Sequence, residues 1–170
     1  MGKRHKTIVT HLEMRAEPRA PATPRPQGKY ALLRTVKPPL HFYRYLYDTI
    51  GRAYAWVSRR QLTDAELASI IHHEDVEIYV LYVGGSPAGF FELDFRSLPE
   101  AELSFLGIVP EHIGEGMGRF LLGEAIALAW AKAPERLIVQ TCTLDHPSAL
   151  RLYQRAGFTP YAQSEAVIEE

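Results

Sequence analysis

The sequence predicts a mixed α/β chain, with one central sheet of about six to seven strands flanked by about four helices. Three observations carry this. Extended and helical patterns alternate along the 170 residues in the order β, αα, βββ, α, β, α, β. Three strand-like segments, at 76–83, 88–95 and 101–109, are separated only by a Gly84-Gly85 turn and an RSLPE loop. A glycine-rich turn then leads from the last of these strands straight into a long apolar helix. With 46% apolar and 23% charged residues, the composition supplies one sizeable core and excludes wholesale disorder.

Each element has its own signal. TIVTHLEM at 7–14 is rich in strand formers, and 30–36 offers a second short extended piece. Pro38 and Pro39 break the chain before a helix. Tyr43, Leu46, Tyr47, Ile50 and Tyr54 fall on one face of that helix. The next helix opens with a capping box of Thr63 and Glu66, and Leu62 and Leu67 sit where a hydrophobic staple would hold it. Leu67, Ile70 and Ile71 form its buried stripe. After the three strands, a helix spans about 116–133 and ends near Pro134. LIVQTCT at 137–143 is a strand. A short helix at about 147–156 turns Ala149, Leu152, Tyr153 and Ala156 inward, and Gly157 suits its C-terminal cap. Residues 158–168 form a final strand or strand pair.

Composition narrows the function classes. Nineteen basic and twenty acidic residues give a formal net charge of -1, which argues against a whole-domain polyanion binder. The charge is uneven. Residues 1–34 carry a balance of +6 and the remainder -7. AEPRAPATPRPQG at 16–28 holds four prolines and reads as an extended arm. Residues 1–29 are therefore expected to form a basic strand and Pro-rich arm ahead of a domain at 30–170. A solvated arm and a nucleic-acid or partner tail both suit this segment. The single cysteine, Cys142, excludes an intramolecular disulfide framework, and within its apolar strand it reads as a buried small hydrophobe. The longest apolar run, 125–131, is far short of a membrane span. No signal-peptide core follows the basic start. The expectation is a cytoplasmic protein without membrane contact. His72 and His73 adjoin Glu74 and Asp75, but neighbours on a helix point apart, so no metal site is expected.

The informative stretch is GIVPEHIGEGMGRFLL at 107–122. Gly114, Gly116 and Gly118 occupy the turn before a helix. Such glycines admit a ligand close to the backbone, and the first N–H groups of a helix lack internal partners. Together these features make a pyrophosphate cradle. The same turn also suits a ligand-free strand-to-helix connection. A dinucleotide-binding fold fits less well, because these glycines follow about the fifth strand and the next strand ends in threonine rather than an acidic residue.

With HPSALRLYQRAGF at 146–158 added, the chain resembles the GNAT superfamily of acyl-CoA-dependent N-acyltransferases over about 76–160, and more loosely over 38–75. Gly116 and Gly118 match the two glycines of the family's Arg/Gln-x-x-Gly-x-Gly loop. Ala149, Tyr153, Gly157 and Phe158 match its later Asn-x-x-Ala-x-x-x-Tyr-x-x-x-Gly-Phe motif. Ile113 stands where the family usually has Arg or Gln, and His146 where it has Asn. The resemblance implies acetyl-CoA as cosubstrate and an amine-bearing small molecule or peptide as acceptor. It implies that Ile108 and Val109 hydrogen-bond the pantetheine arm through their backbone. It further implies that the N–H groups of Gly114, Glu115, Gly116, Met117, Gly118 and Arg119 hold the pyrophosphate, and that Tyr153 protonates the departing thiolate. From periodicity alone Tyr153 is equally a core aromatic.

The acceptor side follows from strand alternation. Glu92 and Asp94 share one face, opposite Phe91, Leu93 and Phe95. Glu102 and Ser104 share a face, opposite Leu103 and Phe105. A hairpin through 96–100 sets Asp94 across from Glu102, where two carboxylates repel and one pKa rises. Glu102 is the first candidate base and Glu92 the second, and a solvated acidic face is the competing reading. Six of the eighteen aromatics lie within 42–56. By the same resemblance the helices there border the acceptor site, so some of these rings line it. Two competing functions remain: a non-catalytic acyl-CoA sensor or interaction module, and a basic-arm nucleic-acid binder. The acceptor's identity and the oligomeric state, a homodimer included, stay open.

Overall fold

The computed structural model describes residues 2–19 and 23–170. Part of the Pro-rich arm, 20–22, lies outside the described residues. Seven strands form one mixed sheet: β1 Arg4–Met14, β2 Tyr30–Arg34, β3 Val76–Val83, β4 Ser86–Asp94, β5 Glu100–Ile108, β6 Arg136–Cys142 and β7 Thr159–Glu169. Four α-helices accompany them among the described residues: α1 Leu40–Gly51, α2 Asp64–Ile71, α3 Met117–Trp130 and α4 Ala149–Ala156. The sheet order is β2-β3-β4-β5-β6-β1-β7. Neighbours are antiparallel except β5 and β6, which run parallel.

The sheet is covered on both faces. On one, Phe91, Leu93, Leu103, Leu137 and Val139 pack against Leu121, Leu122, Ala125 and Ile126 of α3, with Tyr153 of α4 in the same cluster. On the other, Ile78, Val80 and Phe90 meet Tyr43, Leu46, Tyr47 and Ile50 of α1 and Leu67 and Ile71 of α2. The capping box is present. Thr63 Oγ1 accepts from Glu66 N–H at 3.2 Å, and Glu66 Oε1 accepts from Thr63 N–H at 3.2 Å.

Two local expectations, for Tyr54 and Phe105, are corrected. Tyr54 is not on the face of α1. That helix ends at Gly51, and Tyr54 closes a 3-10 turn at 52–54. Ala55 then takes φ 55°, which folds Trp56 back so that its N–H donates to Gly51 O at 3.1 Å. Phe105 does not lie opposite Glu102's face. β5 bulges where Glu92 pairs with Phe105 and Leu93 with Leu103, so Ser104 is the extra residue and Phe105 turns to the α1 side. The C-terminal segment, expected as a strand or strand pair, is one strand, β7. The N-terminal strand is an inner one. β1 lies before the boundary expected at 29/30 and hydrogen-bonds to both β6 and β7 beyond it.

Candidate active site

The parallel pairing of β5 and β6 covers only Glu100–Leu103 and Arg136–Val139. Beyond it the bulge at Ser104 bends β5 away, and a cleft opens between the strand ends. Its cavity has a volume of about 590 Å³. Ile108, Gly114, Gly116, Met117, Gly118, Arg119 and Tyr153 all line it.

Hydrogen-bond alternation decides which backbone groups face this cleft. Val109 N–H donates to Ala88 O at 2.8 Å, and its carbonyl accepts from His112 N–H at 3.0 Å. Val109 is also 4% exposed, within the α1-side core. Its N–H is spent on β4 and cannot donate to a pantetheine arm, which corrects the expectation for this residue. In an antiparallel ladder, pairs that exchange hydrogen bonds alternate with pairs that do not. Ile108 faces Gly89 and Leu106 faces Phe91 in the second kind of pair, so their N–H and C=O groups turn away from β4, into the cleft. Leu106 therefore joins Ile108. The sequence did not reveal this, because the phase of the ladder depends on the bulge.

The glycine turn meets the start of α3. Gly114 and Gly116 have φ of 88° and 80°, the left-handed region that glycine enters without strain. Gly116 is the N-cap residue. No side chain caps the helix, and no acidic residue occupies its first turn. The contrast is α2, which has both a capping box and Asp64 and Glu66 in its first turn. The first N–H groups of α3 thus keep their donors and their share of the helix dipole for an anion. Arg119 adds a cation on the lining. The Glu115 carboxylate points elsewhere, accepting from His112 Nδ1 at 2.9 Å, and Ile113 is exposed. An uncapped helix start beside an open glycine turn fits the pyrophosphate of acetyl-CoA, and the outward backbone of Leu106 and Ile108 fits an amide-bearing arm.

Tyr153 is 7% exposed and packs edge-on to Phe158, with ring centroids 5.9 Å apart. Burial, helped by the negative charge of Asp145, pushes its phenol well above the ordinary value, so the hydroxyl stays protonated. Asp145 also lines the cavity. Its Oδ2 accepts from Thr141 Oγ1 at 2.6 Å and from Cys142 N–H at 3.0 Å. Cys142 is half-buried on the same wall, not enclosed in the core as expected. His146 Nδ1 accepts from Ser148 N–H at 3.1 Å, and its ring meets Tyr54 across the cleft at 6.0 Å. With Nδ1 accepting, Nε2 is the ring nitrogen left to donate.

The acidic face is present but largely occupied. Asp94 does sit opposite Glu102. Burial pushes the Asp94 carboxyl up, but hydrogen bonds from the Arg96 side chain and N–H outweigh it and hold the carboxyl below its usual range. Burial, then Asp94 and Glu92, raise Glu102. Glu92 is fully buried. Tyr43 Oη donates to it at 2.7 Å, and Arg59 donates to its other oxygen at 2.6 Å. Glu92 therefore fills an ion pair beneath α1, off the cavity wall, and is corrected as a base. The wall nearest this pair consists of Tyr47 and Trp56, which the sequence offered only as part of an aromatic-rich stretch, and Phe105, which it placed on the opposite face of β5.

A family model described as the acetyltransferase (GNAT) family matches residues 41–158. The chain belongs to the GNAT acetyltransferase family. None of the curated proteins matches the sequence. Solved structures share its fold. An aminoglycoside acetyltransferase from an uncultured soil metagenomic sample has a TM-score of 0.60 at 16% identity, covering 75% of this chain and 87% of that one. An IAA acetyltransferase from Bacillus cereus has a TM-score of 0.61 at 18% identity, covering 84% and 100%. A GCN5-related N-acetyltransferase from Sphaerobacter thermophilus has a TM-score of 0.61 at 16% identity, covering 96% and 52%. The chain thus spans about half the length of the last of these, 52%. No helix among the described residues is long and apolar enough to cross a membrane.

Proposed function

We propose that the protein transfers the acetyl group of acetyl-CoA to a primary amine. The observation that carries this reading is the cleft itself: splayed β5 and β6, with the uncapped start of α3 at one end and Tyr153 beside it. Acetyl-CoA supplies an activated thioester. The N–H groups from Gly114 to Arg119 bind its pyrophosphate, and Leu106 and Ile108 orient its arm through backbone hydrogen bonds. Held geometry and fixed backbone donors account for most of the rate enhancement. Tyr153 holds a proton at Oη for the thiolate that leaves. Glu102, next to the lining residues Leu103 and Ser104, takes the proton of the attacking amine through water; its raised pKa suits a proton acceptor. The acyltransferase unit is assigned to 30–170, with 1–29 contributing β1 and the arm. Dependence on acetyl-CoA fits a cytoplasmic protein.

The test is Tyr153→Phe. The variant is expected to lose about 100-fold or more in kcat, while acetyl-CoA affinity stays near that of the parent. An unchanged kcat would reduce Tyr153 to a packing residue.

A further inference from the structure

We propose that the acceptor is a monoamine carried on a flat aromatic group, and that Tyr47, Trp56 and Phe105 form the wall that selects it. The inference rests on the amine-transfer reading above and names the substrate class of the same site. The cavity runs from the cleft at Ile108 to these three rings. Their centroids are close together: 5.1 Å for Trp56 and Phe105, 5.2 Å for Tyr47 and Phe105, and 5.5 Å for Tyr47 and Trp56. All three pairs are tilted or edge-on; Trp56 and Phe105 are half-buried and present ring surface to the cavity, Tyr47, 1% exposed, backs them, and the Arg59 guanidinium lies over the Phe105 ring at 5.3 Å. The same lining includes apolar side chains of β1 and β7, Val9, Ala166 and Ile168.

Charge points the same way. Among the described residues lining the cavity, Asp145 is the one carboxylate, and both of its hydrogen bonds fall on Oδ2. Glu92 is closed off by Tyr43 and Arg59, and Asp94 is held by Arg96. An amine must shed its proton before it attacks. A monoamine is then neutral and suits an apolar wall. A polyamine or aminoglycoside keeps its other charges, which would be buried against rings without counter-ions. The acidic strand face read from the sequence is largely engaged elsewhere.

The experiment compares acetyl-CoA consumption with phenethylamine, hexylamine and spermidine, in the parent and in Trp56→Ala and Phe105→Leu. Phenethylamine is expected to exceed both other amines in kcat/KM by about tenfold. Both variants are expected to raise its KM by a similar factor, with acetyl-CoA affinity unchanged. Equal or better use of hexylamine overturns the aromatic wall. Preference for spermidine overturns the charge argument, and unchanged KM in the variants overturns the assignment of the wall. Acetyl-CoA binding without consumption of any amine would instead defeat the transfer reading. In that event the wall is decided in Trp130→Phe, which leaves Trp56 as the only tryptophan. Saturable quenching of Trp56 by phenethylamine but not spermidine, with CoA present, supports the wall. No quenching overturns it.

Discussion

Glu92 is fully buried, and its charge is tolerable only because Arg59 and Tyr43 both donate to it. Replacing one partner of such a pair leaves an uncompensated charge. Arg59→Met is therefore expected to destabilise the protein by about 3–5 kcal/mol near neutral pH. Urea unfolding measures this, and adding Glu92→Gln should recover part of the loss. A loss within error would mean that the pair contributes little. Burial raises both the Glu92 and the Glu102 carboxyl, but only at Glu92 does a Tyr43 hydrogen bond join Arg59 in opposing the rise. The Glu102 carboxyl is raised by burial and by three acidic neighbours, Asp94, Glu92 and Glu100, so the folded state holds that proton more tightly than the unfolded state. Its contribution to stability is thus full below the unfolded pKa and is lost as pH rises through the folded one. Glu102→Gln is expected to raise Tm near neutral pH, with the gain fading as pH falls through the raised range of the folded carboxyl and gone by about pH 4, the ordinary glutamate range. The same variant should lower kcat and remove the acidic limb of the pH profile. Calorimetry and pH-rate curves check the two effects separately. A higher Tm with an unchanged profile would make Glu102 a strained acid and not a proton acceptor.

At the scale of elements, α2 and α3 show two ways of starting a helix. Thr63, Asp64 and Glu66 satisfy the start of α2 internally. α3 begins at Gly116, in the left-handed region, with no side-chain cap and no first-turn acid. Gly116→Val places a β-branched residue at φ 80°, which disfavours the turn itself. The expected outcome is loss of the Tm increase caused by acetyl-CoA, while far-ultraviolet circular dichroism stays near that of the parent. A preserved increase would move the phosphate site elsewhere. The glycine turn was legible in the sequence because glycines ahead of an apolar helix have few other uses. The facing of Asp94 and Glu102 was legible because a short loop joins their strands. The bulge at Ser104 was not, since nothing in LSFLGIV marks which residue is extra. That one residue turns Phe105 toward Trp56 and Leu106 toward the cleft. It therefore accounts for the two site features that alternation alone misassigned or missed.

Over the whole molecule, the three central antiparallel strands and the two-helix layer followed from local patterns. The place of β1 did not. Residues 4–14 insert between β6 and β7, with partners from Leu137 to Cys142 and from Thr159 to Glu169. Pairings so distant in sequence leave no periodic mark on either strand. Their consequence for the site is direct, since Val9 on β1 and Ala166 and Ile168 on β7 line the cavity. The N-terminal strand and the C-terminal strand thus complete a cleft whose chemistry lies in the middle of the chain. The central claim is that this cleft transfers acetyl groups and does not merely bind them. The direct measurement is mass-spectrometric detection of acetylated amine, alongside free CoA thiol, when the protein is incubated with acetyl-CoA and phenethylamine. The account predicts equal amounts of the two products, both lost in Gly116→Val. Acetyl-CoA that raises Tm yet stays intact across an amine panel would contradict it and leave a non-catalytic acyl-CoA binder.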